Sequence, residues 1–451
     1  MNIIIVGCGK VGVTLAEQLD QEGHDVVVID NRASAVESAA NFMDVMGIVG
    51  SGASHQVLME AGIENADLLI AVTGSDELNL LCCLIARKAG NCHTIARVRN
   101  PQYNDEIDFI REGMGLSMTI NPELETATEM AALIKLSSAI EIDTFANGKV
   151  ELLKFQVPEN SVLNNMKVID LSAKLHCNVL VCIAERGDQV YIPSGSFELH
   201  TNDIISIIAS HKNALDFFQR AGVFIKEIKN VMLIGGGNLT VYLSKKLAES
   251  GIKVTIIEQN MERCEELSDL LPDAMIINAN ATIKNVLLEE GIEDAEAFAS
   301  LTNYDEENIL LSLYAKKRSK AKTFTKITRM TYDDIVDEMP LGIIVNPKLV
   351  TADRILQHIR AMKNSQGSNV ETLYQLVDNR VEALEFYVRD NSRLLGMPLE
   401  RLQLKSNLLV SCINRNGNII IPNGQDYIEA GDTVIIVTTN KGLNDLNDIL
   451  L

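Results

Sequence analysis

The sequence predicts an α/β protein with two doubly wound parallel-sheet domains, each followed by a small α+β module, the second pair being a tandem copy of the first. Three observations carry this expectation. Short Val/Ile-rich runs alternate with amphipathic stretches at the start of each half. A glycine-rich turn follows the first such run in both halves. The blocks then recur in the same order along the chain, and a long internal period dictates architecture before any single motif is interpreted.

The duplication is explicit in the residues. Val6-Gly7-Cys8-Gly9-Lys10-Val11-Gly12 returns as Ile234-Gly235-Gly236-Gly237-Asn238-Leu239-Thr240, and the acid after the next apolar run returns as Asp30 and Glu258. From Gly7 to Gly235 and from Asp30 to Glu258 the step is the same 228 residues. Thr73-Gly74-Ser75-Asp76-Glu77-Leu78-Asn79 reappears as Thr302-Asn303-Tyr304-Asp305-Glu306-Glu307-Asn308, one residue later than that step requires, so one residue has been inserted. Val150–Phe155 matches Val381–Phe386, and Ile192-Pro193-Ser194-Gly195 matches Ile421-Pro422-Asn423-Gly424.

Taken in order, the first piece reads as strand Asn2–Val6, helix Val11–Gln21, strand Asp25–Ile29, strand Leu68–Val72 and helix Glu77–Lys88, a βαβ rhythm. The second piece has strand-like runs at Leu152–Val157, Val179–Ala184 and Ile204–Ile208, with one short helical stretch at Val168–Leu175. Between the pieces, Pro122–Leu136 and Pro347–Met362 each begin at proline and carry apolar residues near helical spacing. They read as connecting helices that pack lobe on lobe, or as ordinary core helices. Length alone, at about 150 residues per domain, suggests roughly three domains for 451 residues. The duplication instead gives four, at 1–125, 140–224, 228–348 and 368–451, with connecting helices at 126–139 and 349–367.

Composition narrows the function classes. With 47% hydrophobic and 22% charged residues the chain is globular rather than disordered, collagenous or coiled-coil. A formal charge of −21 argues against a grip on nucleic acid or on anionic lipid. No run of about 18 apolar residues occurs, and Met1-Asn2 leads straight into Ile3–Val6 without a cationic flank, so a soluble, cytoplasmic protein is expected. The eight cysteines form no CxxC pair and sit mostly in apolar runs, as reduced core thiols would. The seven histidines lack ligand spacing, and no metal site is expected.

The first glycine turn carries the binding chemistry. Gly7-x-Gly9-x-x-Gly12 follows a strand and opens a helix, the context that makes a Rossmann-like phosphate loop. Gly7 permits the tight turn, the bare backbone at Gly9 admits a diphosphate, and Gly12 lets the helix lie close on its strand, with helix N–H groups facing the phosphate. Asp30, at the end of the next strand, is placed to accept both hydroxyls of an adenosine ribose. The same carboxylate repels a 2′-phosphate, which favours NAD or another adenine nucleotide over NADP. Arg32 reads either as a partner for adenine or phosphate, or as a solvated loop residue.

Thr73 and Gly74 fall just beyond a strand, on the carboxyl edge where open parallel sheets bind ligands. Asp76 and Glu77 fit the first turn of the following helix, as caps rather than catalysts. Arg97 and its repeat partner Lys326 end strand-like runs on that same edge, either facing a bound phosphate or solvated. In the second lobe Gly235, Gly236, Gly237 and Glu258 are retained, but Thr240 stands where the third glycine would be. Its β-branched side chain is expected to push the helix off the strand, leaving either a second binding lobe or one kept for packing.

A dehydrogenase needs a proton donor or acceptor beside its cofactor. His176 and His200 sit in no catalytic pattern, and there is no Walker lysine loop, serine elbow or metal-bridging acidic set. The chain resembles the TrkA family, the tandem RCK regulatory subunits of Trk-type potassium-uptake systems. The resemblance covers essentially the whole sequence, through Gly7–Gly12, Thr73-x-x-Asp76-Glu77-x-Asn79, Ile95-Ala96-Arg97-Val98-Arg99, Gly235–Asn238 and both carboxyl modules.

That resemblance implies a non-enzymatic cytoplasmic protein that binds NAD(H), with ATP or ADP also possible. It implies assembly into a ring, a homo-oligomer read as a tetramer, at the inner face of the membrane beneath an integral-membrane potassium transporter. The family's nucleotide contacts map onto Gly7, Cys8, Gly9, Lys10, Val11, Asp30, Thr73, Gly74 and Arg97, and onto Gly235, Gly236, Gly237, Asn238, Leu239 and Glu258. The acid the family often carries after the third strand is missing from Gly50-Ser51-Gly52 and Asn278-Ala279-Asn280. An NAD-dependent oxidoreductase with duplicated cofactor domains is the alternative, and a free-standing redox or nucleotide sensor is a third reading.

Overall fold

The computed structural model describes residues 1–100, 103, 106–135, 139–145, 150–223, 228–328, 339–365, 370–377, 380–443 and 445–451. Leu136 and the expected boundaries at 224, 367 and 368 lie outside the described residues. Strands β1 (Asn2–Val6), β2 (Asp25–Asp30), β3 (Met46–Val49), β4 (Leu68–Ala71), β5 (His93–Arg97) and β6 (Met118–Ile120) form one sheet in the order β3-β2-β1-β4-β5-β6. Every pairing in it is parallel. Ile3, Ile4 and Ile5 of β1 and Leu68–Ala71 of β4 are buried, as a sheet covered on both faces by helices requires. The order reverses between β1 and β4, so the chain leaves these two strands in opposite directions and opens a crevice at their carboxyl ends.

The second lobe repeats this sheet with strands Asn230–Ile234, Lys253–Glu258, Met275–Asn278, Ala297–Ser300, Lys322–Lys326 and Ile343–Val345 in the equivalent order, again parallel. The doubly wound, duplicated architecture expected from the sequence is present.

The two lobes belong to one compact unit, Met1–Ala131 with Ile228–Leu356. Within it, Asn121 Nδ2 donates to Tyr242 Oη at 3.0 Å, and Arg354 of the helix Pro347–Ser365 pairs with Glu125 of the helix Pro122–Lys135 at 3.4 Å. Both helices begin at the expected proline, and Thr126 and Thr351 in their first turns are buried and donate back to the Pro122 and Pro347 carbonyls.

The second unit, Ala132–Glu227 with Gln357–Leu451, contains the two small modules. Each is an antiparallel five-stranded sheet. Phe145, Leu152, Cys182 and Ile208 of one module share a core with Val381, Ala383, Cys412 and Val437 of the other. Arg186 grips Asp203 through Nε and Nη2 at 2.7 Å each, and Arg415 grips Asp432 at 2.9 and 2.8 Å. These two-pronged ion pairs fold a strand end onto the loop before the next strand. The expected helix resolves into a 3₁₀ turn, Val168–Asp170, and an α-turn, Leu171–Leu175, while a second helix, His211–Arg220, was not legible in the sequence pattern.

All eight cysteines are buried and unbridged. Among the described residues no helix is long and apolar enough to cross a membrane, and no group of three or more His, Cys, Asp or Glu could hold a metal ion.

Candidate functional site

The turn after β1 calls for glycine at two positions, Gly7 and Gly12. Gly7 has φ +108°, a conformation that L side chains rarely adopt, and a Cβ on Gly12 would lie 1.9 Å from the Gly7 carbonyl oxygen. Above Gly9 the space is open. The helix Lys10–Gln21 starts there without a side-chain cap, leaving its first N–H groups facing the crevice.

Asp30 closes the other side. Its Oδ2 accepts the Cys8 N–H at 2.8 Å, and its Oδ1 accepts the Arg32 N–H at 3.0 Å. Arg32 also reaches Oδ1 through Nε at 3.2 Å and Oδ2 through Nη2 at 3.4 Å. Burial opposes ionisation of Asp30, but the Arg32 side chain and these N–H donors outweigh it and hold the carboxyl below its usual range. Neither reading of Arg32 included what the structure shows, a largely exposed side chain directed onto Asp30.

Gly7, Gly9, Lys10, Val11, Asp30, Thr73, Gly74 and Arg97 line one solvent-open pocket, together with Gly50, Ser51, Gly52 and Lys348. Cys8 is the exception among the expected residues: its thiol is buried, which pushes its pKa up to about 11, and it serves the site through its backbone N–H. Arg97 is largely buried, and that burial, with Arg99 beside it, brings its pKa down to about 10. One of its guanidinium nitrogens donates to the Thr73 carbonyl.

Several residues that the pattern did not single out hold this edge together. Asn79 is fully buried, accepts from Thr73 and donates to the Arg97 carbonyl. The helix Asp76–Gly90 is capped by Ser75, whose Oγ accepts the Leu78 N–H at 3.2 Å. Asp76, expected only to favour the helix start, is buried and accepts the Arg99 and Asn100 N–H groups at 2.8 Å each.

In the second lobe Gly235 has φ +96°, and Glu258 accepts the Gly236 N–H at 2.7 Å and the Asn260 N–H at 2.8 Å. Thr240 is buried, and its Oγ1 donates to the Gly235 carbonyl at 2.5 Å. The helix nonetheless starts as its counterpart does, with Gly237 at φ −70°, ψ 178° against Gly9 at φ −78°, ψ −178°. Gly235, Gly236, Gly237 and Glu258 line a pocket of about 620 Å³, with Tyr304 and Glu307 in its wall.

Asn238 and Leu239 instead face a cleft of about 1290 Å³ between the lobes, together with Val11, Arg97, Arg99, Lys326 and Lys348. Lys10 crosses this boundary and donates to the Thr328 carbonyl at 3.0 Å, as does Lys348. His176 sits at φ 48° at the end of a short helix, and His200 lies 3.7 Å from Glu198. Both belong to the unit that holds the small modules.

The TrkA-N domain family matches residues 3–122 and 231–347, and the TrkA-C domain family matches residues 152–222 and 383–451. The Trk system potassium uptake protein TrkA homolog of Archaeoglobus fulgidus is 34% identical over 450 residues, covering 100% of both chains. The Trk system potassium uptake protein TrkA homolog 1 of Methanosarcina mazei is 32% identical over 454 residues, covering 99% of each. In three dimensions the chain is similar in fold to a structure described as "GsuK channel bound to NAD", with a TM-score of 0.64 and 16% identity, covering 98% of this chain and 77% of that one. Two copies of each domain match, spaced as the duplication is, and full-length relatives share about a third of the residues, so the chain belongs to the TrkA family of Trk potassium uptake proteins.

Proposed function

We propose that the chain is a nucleotide-binding regulatory subunit of a Trk-type potassium uptake system, coupling NAD(H), ATP or ADP binding to the conductance of an integral-membrane potassium transporter. The observation that carries the nucleotide half is the first-lobe pocket, where a positive-φ glycine turn, a helix start and an ionised Asp30 meet at the carboxyl edge of a parallel sheet. Family membership supports the transport half, and the fold shared with an NAD-bound channel is consistent with both.

In this reading 1–125 and 228–348 are the nucleotide domains and 140–224 and 368–451 the small modules. The protein works in the cytoplasm as a homo-oligomeric ring, a tetramer displaying eight nucleotide-type lobes, held at the inner membrane face by its partner. It regulates without turnover. Nucleotide that binds one arrangement of the lobes better than another shifts the population between them, and a differential affinity of about 5.5 kcal/mol takes a two-state element from 1:99 to 99:1.

The test is potassium flux through the reconstituted transporter, with and without this subunit, as NADH, NAD, ATP and ADP are varied. A nucleotide-dependent change in flux with the nucleotide recovered intact is the expected result. Flux indifferent to every nucleotide defeats the regulatory reading, and stoichiometric oxidation of the cofactor alongside a small substrate replaces it with the oxidoreductase.

A further inference from the structure

The first-lobe pocket, the cleft and the second-lobe pocket adjoin through shared walls. Val11, Arg97 and Lys348 line both the first pocket and the cleft, and Gly237, Leu301 and Asn303 line both the cleft and the second pocket. At either end stands an acid at the tip of a second strand, Asp30 or Glu258, fixed by an N–H of its own glycine loop.

Between the acids lie cations: Arg97, Arg99, Arg263, Lys326 and Lys348 line the cleft, and Lys10 reaches the Thr328 carbonyl. Val11 and Asn238, in the first turns of their helices, border the same space, so two helix amino ends add partial positive charge to it. One carboxylate, Glu123, lines this region, and burial pushes its pKa up in spite of Arg99, Arg97 and Lys326. The charge pattern is therefore acid, cations, acid, on a scaffold whose two halves are copies.

We propose that these three adjoining spaces act as a single site and that its ligand is a dinucleoside polyphosphate, with one nucleoside in each lobe and the polyphosphate across the cleft. The proposal rests on the nucleotide-binding reading above and specifies its ligand class. A mononucleotide occupies one end and leaves the far acid without a ribose diol. Two mononucleotides bring their terminal phosphates into one cleft, where like charges repel. A linked pair places both nucleosides and spreads its charge along the cations, and linkage makes the second docking event intramolecular, worth about 10²–10⁴ in affinity when the span is right.

Titration calorimetry of the full-length chain with ADP, NAD and diadenosine tri-, tetra- and pentaphosphate, at one salt concentration, tests this. ADP is expected at two per chain. One member of the diadenosine series is expected at one per chain and about 10²–10⁴-fold tighter than ADP, with the mass from light scattering unchanged. Glu258→Gln should weaken that ligand and one of the two ADP sites about ten-fold or more while leaving the other ADP site unchanged, and Asp30→Asn should do the same from the other end. Diadenosine polyphosphates that bind at two per chain, that are no tighter than ADP at any length, or that bind only by joining two chains overturn the single site and leave the nucleotide reading standing. If ADP, NAD and the whole series fail to bind, the nucleotide reading itself falls and the proposal with it.

Discussion

The amide oxygen of Asn79 accepts two hydrogen bonds from Thr73, one from its backbone N at 2.8 Å and one from its Oγ1 at 2.7 Å. The amide nitrogen donates to the Arg97 carbonyl at 2.9 Å, so one fully buried side chain ties the end of β4 to the end of β5 at the pocket wall. Asn308 repeats the arrangement with Thr302 at 2.9 and 2.8 Å and with the Lys326 carbonyl at 2.9 Å.

Asn79→Ala should therefore cost about 1–3 kcal/mol, the penalty of leaving the Thr73 N–H and the Arg97 carbonyl without this partner in a partly buried wall. Chemical denaturation reads that loss directly, and Asn308→Ala should show a similar one. In calorimetry Asn79→Ala should also weaken nucleotide binding, since Thr73 is part of the pocket. Wild-type stability in both variants would show that the tie carries no load.

Asp30→Ala removes the proposed acceptor for a ribose diol together with the anchor of the Cys8 N–H. The expected loss is on the order of 1.5–3 kcal/mol, about ten-fold or more in affinity. An unchanged dissociation constant would take Asp30 out of the binding site.

The state of Asp30 also fixes a pH limb. Its pKa in the fold is lowered, so the interaction is complete above the unfolded value of about 3.9 and is lost as pH falls through the depressed folded value. NAD affinity, free of a terminal phosphate that titrates near neutrality, should accordingly be flat from neutrality down to about pH 5 and fall only in stronger acid. Arg32→Ala removes the side chain that holds the carboxyl down, so its acid limb should move to higher pH. Parallel titrations of the two proteins across that range compare the limbs, and superimposable curves would contradict the Arg32 contribution.

Gly12→Ala places a methyl group 1.9 Å from the Gly7 carbonyl oxygen, and the helix must move to accept it. Overpacking of this kind costs about 1–3 kcal/mol, and first-lobe binding should weaken with it because the same helix start is the proposed phosphate contact. Thr240→Ala, at the matching position, adds no atom and loses the Gly235 hydrogen bond, about 1 kcal/mol, together with one buried methyl group. Melting curves and calorimetry on the two variants give the comparison, and equal effects would mean that the two loops pack alike.

What the sequence determined by itself is local in origin. Alternation of apolar runs and amphipathic stretches, Pro122 and Pro347 at helix starts, and the glycine turn with its acid are all set by neighbours a few to about twenty residues apart, and the strands and helices appear where those signals lie. The duplication was legible because copied blocks keep their order whatever they fold into. Tertiary structure decided what depends on segments far apart in the chain. The Asp30 and Arg32 pairing was in neither reading of Arg32, and Asn79 was merely one residue of a recurring block until β4 and β5 brought Thr73 and Arg97 to it. Lys10 and Lys348 meet at the Thr328 carbonyl only because two copies of one sheet pack together in a single unit. Hydrogen bonds and charge pairs act over a few ångströms of space and carry no record of sequence distance, so residues hundreds of positions apart can line one cleft without leaving a pattern along the chain.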